Sequence, residues 1–148
     1  AASQVGACIA DKSKKEKNAL ESYGKNLGIA FQIADDALDY YSSITIFGKK
    51  IGKDFFEGKV TLPAIFVYQK ANSSERNFLE RTFKKKSRSQ DEFHEMQKLV
   101  KKYDSISLCF KHAEHFVNIS YNALSIFNPS KEKTILQNLT SFSLERSF

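Results

Sequence analysis

No proline interrupts this chain between Lys14 and Tyr41, and along that stretch Leu20, Tyr23, Leu27, Ala30, Phe31, Ala34 and Leu38 recur at three- and four-residue steps. Apolar side chains at that period share a face only in an α-helix, so the segment predicts one long amphipathic helix. Gly24 and Gly28 each weaken it by about 1 kcal/mol relative to alanine, a cost accepted where a neighbouring helix must come close. With only 6 glycines and 2 prolines in 148 residues, the composition disfavours a loop-rich β design and points to an all-α chain.

The remaining pattern extends that expectation. The opening AASQVGACIA looks like an apolar helical interior with no cap before it, and the only methionine is Met96, so a truncated chain or fragment is expected. Residues 42–59 carry glycines and lysines without a helical period and predict a loop able to fold over a ligand. Thr61 is placed to cap the next helix and Pro63 to sit in its first turn. A short basic helix bearing Phe78, Leu79 and Phe83 leads into the turn KKKSRSQ, and Gln90–Tyr103 forms another. From Ile106 an apolar stripe runs to Phe127, where Asn128 and Pro129 stop it. Ser130 then caps a final helix using Ile135, Leu136, Leu139 and Phe142. The fold expected is an antiparallel helical bundle forming one domain over residues 1–148, long enough to bury roughly two thirds of its unfolded surface.

Cys8 and Cys109 lie far apart with no CxxC spacing, which gives neither a disulfide framework nor a zinc signature and suits a reducing, cytoplasmic setting. No stretch approaches the roughly 20 apolar residues that span a bilayer, and no secretory pattern opens the chain; the expectation is a soluble protein without an integral membrane segment. The net charge of +6 admits nucleic acid, a membrane surface or a phosphorylated substrate, so its placement has to decide.

That placement is informative. In FQIADDALD, Gln32, Asp35, Asp36 and Asp39 stand at i, i+3, i+4 and i+7, so all four project from one face of the predicted helix. Like charges at these spacings repel by a few tenths of a kcal/mol per pair, a penalty that a bound cation removes. Magnesium suits the site, because it takes hard oxygen ligands and is usually held by one or two carboxylates together with substrate phosphates. The phosphate side follows directly: the segment after the helix supplies Lys49, Lys50, Lys53 and Lys59 beside flexible glycines. An acidic triplet or a lysine-rich loop alone is commonly just a solvated surface, but here the two occur together.

The stretch GKNLGIAFQIADDALDYYSSITIFGKKIGKDFFEGKVTLPAI, from Gly24 to Ile65, closely resembles the second aspartate-rich region of the trans-prenyl diphosphate synthases. Their pattern is GxxLGxAFQIxDDxLD followed by GKxxGxDxxEGKxTLP. The resemblance implies the carboxy-terminal portion of the all-helical isoprenoid synthase fold. It also implies a reaction in which an allylic prenyl diphosphate ionises, isopentenyl diphosphate attacks the carbocation, and a proton is lost. On this likeness Asp35 and Asp36 would be Mg2+ ligands, with Asp39 supporting the metal. Gln32 would orient its neighbours, Lys49 and Lys59 would hold the allylic diphosphate, and Phe31 would belong to the apolar wall. A homodimer is implied too, and the style of GKDFFEGKVTLP is closest to octaprenyl-type, long-chain synthases that make quinone side-chain precursors.

The family's first aspartate-rich motif, the arginine after it and an upstream Lys-Thr pair are absent from these residues, so the isolated chain is expected to be inactive. SSITIF at 42–47 stands where relatives are more polar and acidic. A non-catalytic helical interaction subunit of a prenyl synthase is the alternative, against which the intact carboxylates and lysines argue. The basic run from Lys84 to Lys102 reads as a solvated helix face, since no aromatic residues interleave it in a base-stacking motif; no nucleic acid partner is expected. His112 and His115 lack the HExxH arrangement of zinc peptidases.

Overall fold

A computed structural model describes residues 2–41 and 51–145, with side chains up to residue 142. In chain order the helices are α1 (Ala2–Ile9), α2 (Lys14–Tyr41), α3 (Lys53–Glu57), α4 (Leu62–Lys70), α5 (Ser73–Lys84), α6 (Gln90–Lys102), α7 (Ser105–Ala123) and α8 (Lys131–Glu145), with a 3-10 turn at Leu124–Ile126. Among the described residues there is no strand, so the fold is all-α. None of the described helices is long and apolar enough to cross a membrane.

Local chemistry explains where the helices start. Ser13 and Glu16 bond reciprocally at the head of α2: the Ser13 N–H donates to Glu16 Oε2 at 3.0 Å and the Glu16 N–H to Ser13 Oγ at 3.3 Å. The pairs Asn72/Glu75 and Ser89/Glu92 form the same capping box on α5 and α6, each satisfying two N–H groups that a helix leaves without partners. Ser130 Oγ accepts the Lys133 N–H at 3.1 Å and opens α8. Thr61 does occupy the cap position of α4, yet its side chain makes no cap bond; its buried hydroxyl lies beside that of Tyr40 instead.

Contacts group the chain into two compact units, 1–34 with 111–148, and 35–110. In the first, Ala30, Ala113 and Val117 are buried together with Ile33 and Phe116 against them. Small side chains allow close approach here: a Cβ on Gly24 would stand 2.3 Å from Ser3 Oγ, which accounts for this glycine inside α2. Two long-range bonds lock the arrangement, Ser120 Oγ donating to the Tyr23 carbonyl at 2.8 Å and the Tyr23 hydroxyl to the Leu136 carbonyl at 2.9 Å. On α8, Ile135, Leu139 and Phe142, expected as packing residues, are 60%, 46% and 55% exposed.

The second unit has the larger core. Phe55, Val67 and Met96 are fully buried, joined by Tyr40, Ala64, Leu79, Phe93, Leu99 and Val100. Burying each large side chain contributes roughly 1.5–3 kcal/mol. Phe55 sits at its centre, with ring centroids 5.3 Å from Phe93, 5.6 Å from Phe56 and 5.7 Å from Phe83, distances at which tilted and edge-on rings attract. The short helix α3 is therefore anchored by an aromatic plug, although the sequence pattern there suggests only loop.

Much of the basic run around this core pairs within the protein. Arg88 donates to the carbonyls of Phe56, Phe83 and Lys85. Lys85 pairs with Glu92, Lys98 with Glu95 and Lys102 with Glu75.

Candidate diphosphate and metal site

The described part of the site lies on the last turns of α2 and the segment from Gly52 to Thr61. Asp35 and Asp36 are half-buried and Asp39 is buried, at 8% exposure. Gln32 is exposed one turn earlier on the same helix, and Phe31 is 43% exposed. Lys49 and Lys50 lie outside the described residues.

Asp36 stands near Cys109. The buried thiol is pushed up to about 12, mainly by desolvation and further by the Asp36 charge, so Cys109 is neutral packing and no nucleophile. Tyr40 is likewise held neutral by burial. Its hydroxyl and that of Thr61 are both buried and lie beside one another.

Asp39 is engaged in a way that its spacing alone does not announce. Its Oδ1 accepts the Lys53 N–H at 3.1 Å and its Oδ2 the Asp54 N–H at 2.9 Å, while its backbone carbonyl accepts the Gly52 N–H at 3.0 Å. The residue before α3 is Gly52, which has no side chain to cap it; the Asp39 carboxylate, fourteen residues before Lys53, takes that role. Negative charge at a helix N-terminus is favourable, because the orphan N–H groups there carry partial positive charge.

Asp54 passes the connection on to Lys59. The Lys59 N–H donates to the Asp54 carbonyl at 2.9 Å and the Lys59 ammonium to Asp54 Oδ1 at 2.9 Å, with Glu57 Oε2 at 2.7 Å on its other side. These two carboxylates, Glu57 first, hold the Lys59 ammonium firmly protonated. Its side chain is still 56% exposed, so the charge remains accessible to an anion. Asp54 and Tyr40 were not among the residues singled out from sequence; the signal that could have pointed to Asp54 is an acidic residue in the first turn after a glycine.

Among the described residues, no three His, Cys, Asp or Glu side chains gather closely enough to enclose a metal ion by themselves. That donor set still fits magnesium, which keeps waters and completes its shell with phosphate oxygens instead of an all-protein cage. Zinc, which prefers four nitrogen or sulfur ligands, has no such set here.

Comparison with known proteins shows the family. The sequence model of the family Polyprenyl synthetase matches residues 1–100. An octaprenyl diphosphate synthase of Haemophilus influenzae is 27% identical over 99% of the chain, and an all-trans-nonaprenyl-diphosphate synthase of Rhodobacter capsulatus is 33% identical over 95% of it. The chain spans only 44% and 43% of those two relatives. Among solved structures, a polyprenyl synthase of Caulobacter crescentus, complexed with calcium and isoprenyl diphosphate, superposes with a TM-score of 0.90 at 32% identity. It is matched over 99% of this chain and 45% of its own. The motif-bearing helix, the all-α fold and the matched sequence agree: the chain belongs to the Polyprenyl synthetase family.

Proposed function

We propose that this chain carries the second aspartate-rich half of the active site of a trans-polyprenyl diphosphate synthase, which extends an allylic diphosphate with isopentenyl diphosphate. The observation that supports this best is the tether from the Asp35/Asp36 helix, through Asp39 and Asp54, to Lys59. It puts metal-type ligands and a phosphate-type cation on one connected piece of structure.

In this reading Asp35 and Asp36 hold Mg2+, with Asp39 supporting them from the next turn. The metal supplies positive charge against the departing diphosphate. Lys59, together with Lys49, binds the diphosphate oxygens as fixed point charges, which need little reorganisation as the leaving group gains charge. The allylic C–O bond breaks, pyrophosphate leaves with the electron pair, the isopentenyl double bond attacks the allylic carbon, and one proton is released. Gln32 orients neighbouring polar groups, and Phe31 belongs to the apolar wall that keeps water from the cation. The partners are the two prenyl diphosphates and a second copy of the full-length protein, with no nucleic acid, in the cytoplasm. The relatives include octaprenyl and nonaprenyl synthases beside short-chain and geranylgeranyl ones, so a long-chain product of the quinone side-chain type rests on the style of the GKDFFEGKVTLP segment. Since the chain spans under half of those relatives, it is expected to give no turnover alone.

Calorimetric titration with pyrophosphate tests the site without requiring turnover. Magnesium should tighten binding by roughly tenfold or more, about 1.4 kcal/mol, and Asp35→Ala with Asp36→Ala should remove that gain. A folded wild-type chain whose pyrophosphate binding ignores magnesium would sink the reading.

A further inference from the structure

We infer that Asp39 is a positioning residue, whose task is to seat the lysine-bearing segment and not to ligate the metal directly. The inference deepens the reading above and rests on it. Both carboxylate oxygens of Asp39 are committed to backbone N–H groups, at 3.1 Å and 2.9 Å, and the residue is only 8% exposed. Asp35 and Asp36, one turn earlier, are more open. The third carboxylate of the triplet is thus the most buried of the three.

What it touches leads to Lys59. The Asp54 amide held by Asp39 belongs to the residue whose carbonyl accepts the Lys59 N–H and whose carboxylate accepts the Lys59 ammonium, each at 2.9 Å. Asp39 therefore fixes Asp54 from its amide side, and Asp54 fixes Lys59 by main chain and side chain together. A lysine has several rotatable bonds to immobilise when it binds an anion; pre-seating its main chain and its counter-charge lowers that cost. Without Asp39, the Lys53 and Asp54 N–H groups lose their acceptors at the first turn of a helix of five residues, too short to persist alone.

The test separates seating from ligation. Pyrophosphate binding to the 148-residue chain is measured with and without magnesium for the wild type, Asp39→Asn, Lys59→Ala, their double variant and Asp35→Asn. Amide hydrogen exchange at residues 53 and 54 is followed in parallel. Asparagine keeps the shape of Asp39 but offers one acceptor oxygen where two are needed. Metal-free binding should weaken roughly tenfold in Asp39→Asn and in Lys59→Ala, with the double variant no weaker than Lys59→Ala alone. The magnesium gain should survive in Asp39→Asn and vanish in Asp35→Asn, and the two amides should lose protection. A general loss of stability would not couple to Lys59 in this way. Loss of the magnesium gain in Asp39→Asn, independent losses in the double variant, or unchanged exchange at 53 and 54 would each overturn the inference while leaving the site reading intact. Absence of pyrophosphate binding in the wild type would overturn both.

Discussion

Gly52 meets two demands that no other residue type satisfies together. Its φ of +79° belongs to the left-handed region, and a Cβ there would stand 2.7 Å from the Phe93 ring. The backbone term costs an L-residue about 1–2 kcal/mol and forcing a methyl against a packed ring about as much again. Gly52→Ala should therefore destabilise the chain by at least about 2 kcal/mol in urea unfolding. Gly28→Ala is the control, because nothing lies within 4 Å of its added Cβ; it should stabilise by up to about 1 kcal/mol through helix propensity. Equal effects at the two positions would contradict the geometry. Both glycines are visible in sequence, yet nothing there distinguishes them, since the difference is made by Phe93, a residue some forty positions away.

At the scale of elements, the junction of α5 and α6 carries the clearest electrostatic commitment. Glu75 caps α5, accepts the Lys102 ammonium at 2.6 Å and the Tyr103 hydroxyl at 2.5 Å, and its carboxyl is lowered to about 2 by Lys102 first and Tyr103 second. A depressed folded value means the unfolded chain binds the proton more readily, so the contribution is fully present above about 4.5 and fades as pH falls towards about 2. Glu75→Gln should accordingly lower the urea midpoint at pH 7, with the gap to wild type narrowing between pH 4.5 and 2. A gap constant with pH would mean that the carboxylate charge plays no part. The Lys84–Lys102 run was legible as a surface, but its pairing was not, because periodicity locates a helix face without saying which face of another helix meets it. The same reason explains α3. Its five residues are too few to show a period, and the aromatic contacts of Phe55 that stabilise it come from other elements.

Across the molecule, the two cysteines give a direct readout of packing. Cys8 is exposed and Cys109 buried, and the Cys109 thiol sits at about 12, where almost no thiolate exists at neutral pH. One thiol per chain should react with a maleimide at pH 7 in the native state and two in denaturant. Two reacting natively would mean that the packing around Cys109 opens readily. The long helix over Lys14–Tyr41, the capped start at Ser130 and the Asp35/Asp36 pair were readable in advance because their signals are local. The burial of Asp39 was not, since its acceptor role depends on residues brought back by the chain after an interval.

That return has a further consequence. The Gly52 N–H bonded to the Asp39 carbonyl, reinforced by both carboxylate oxygens, staples the chain to itself across residues 42–50. Once two ends are fixed together, doubling the length between them costs only about 0.6 kcal/mol of closure entropy. Residues can thus be added to this interval at small entropic cost while the anchorage at Asp39 and Gly52 stays the same, so long as the proposed diphosphate-binding Lys49 is kept.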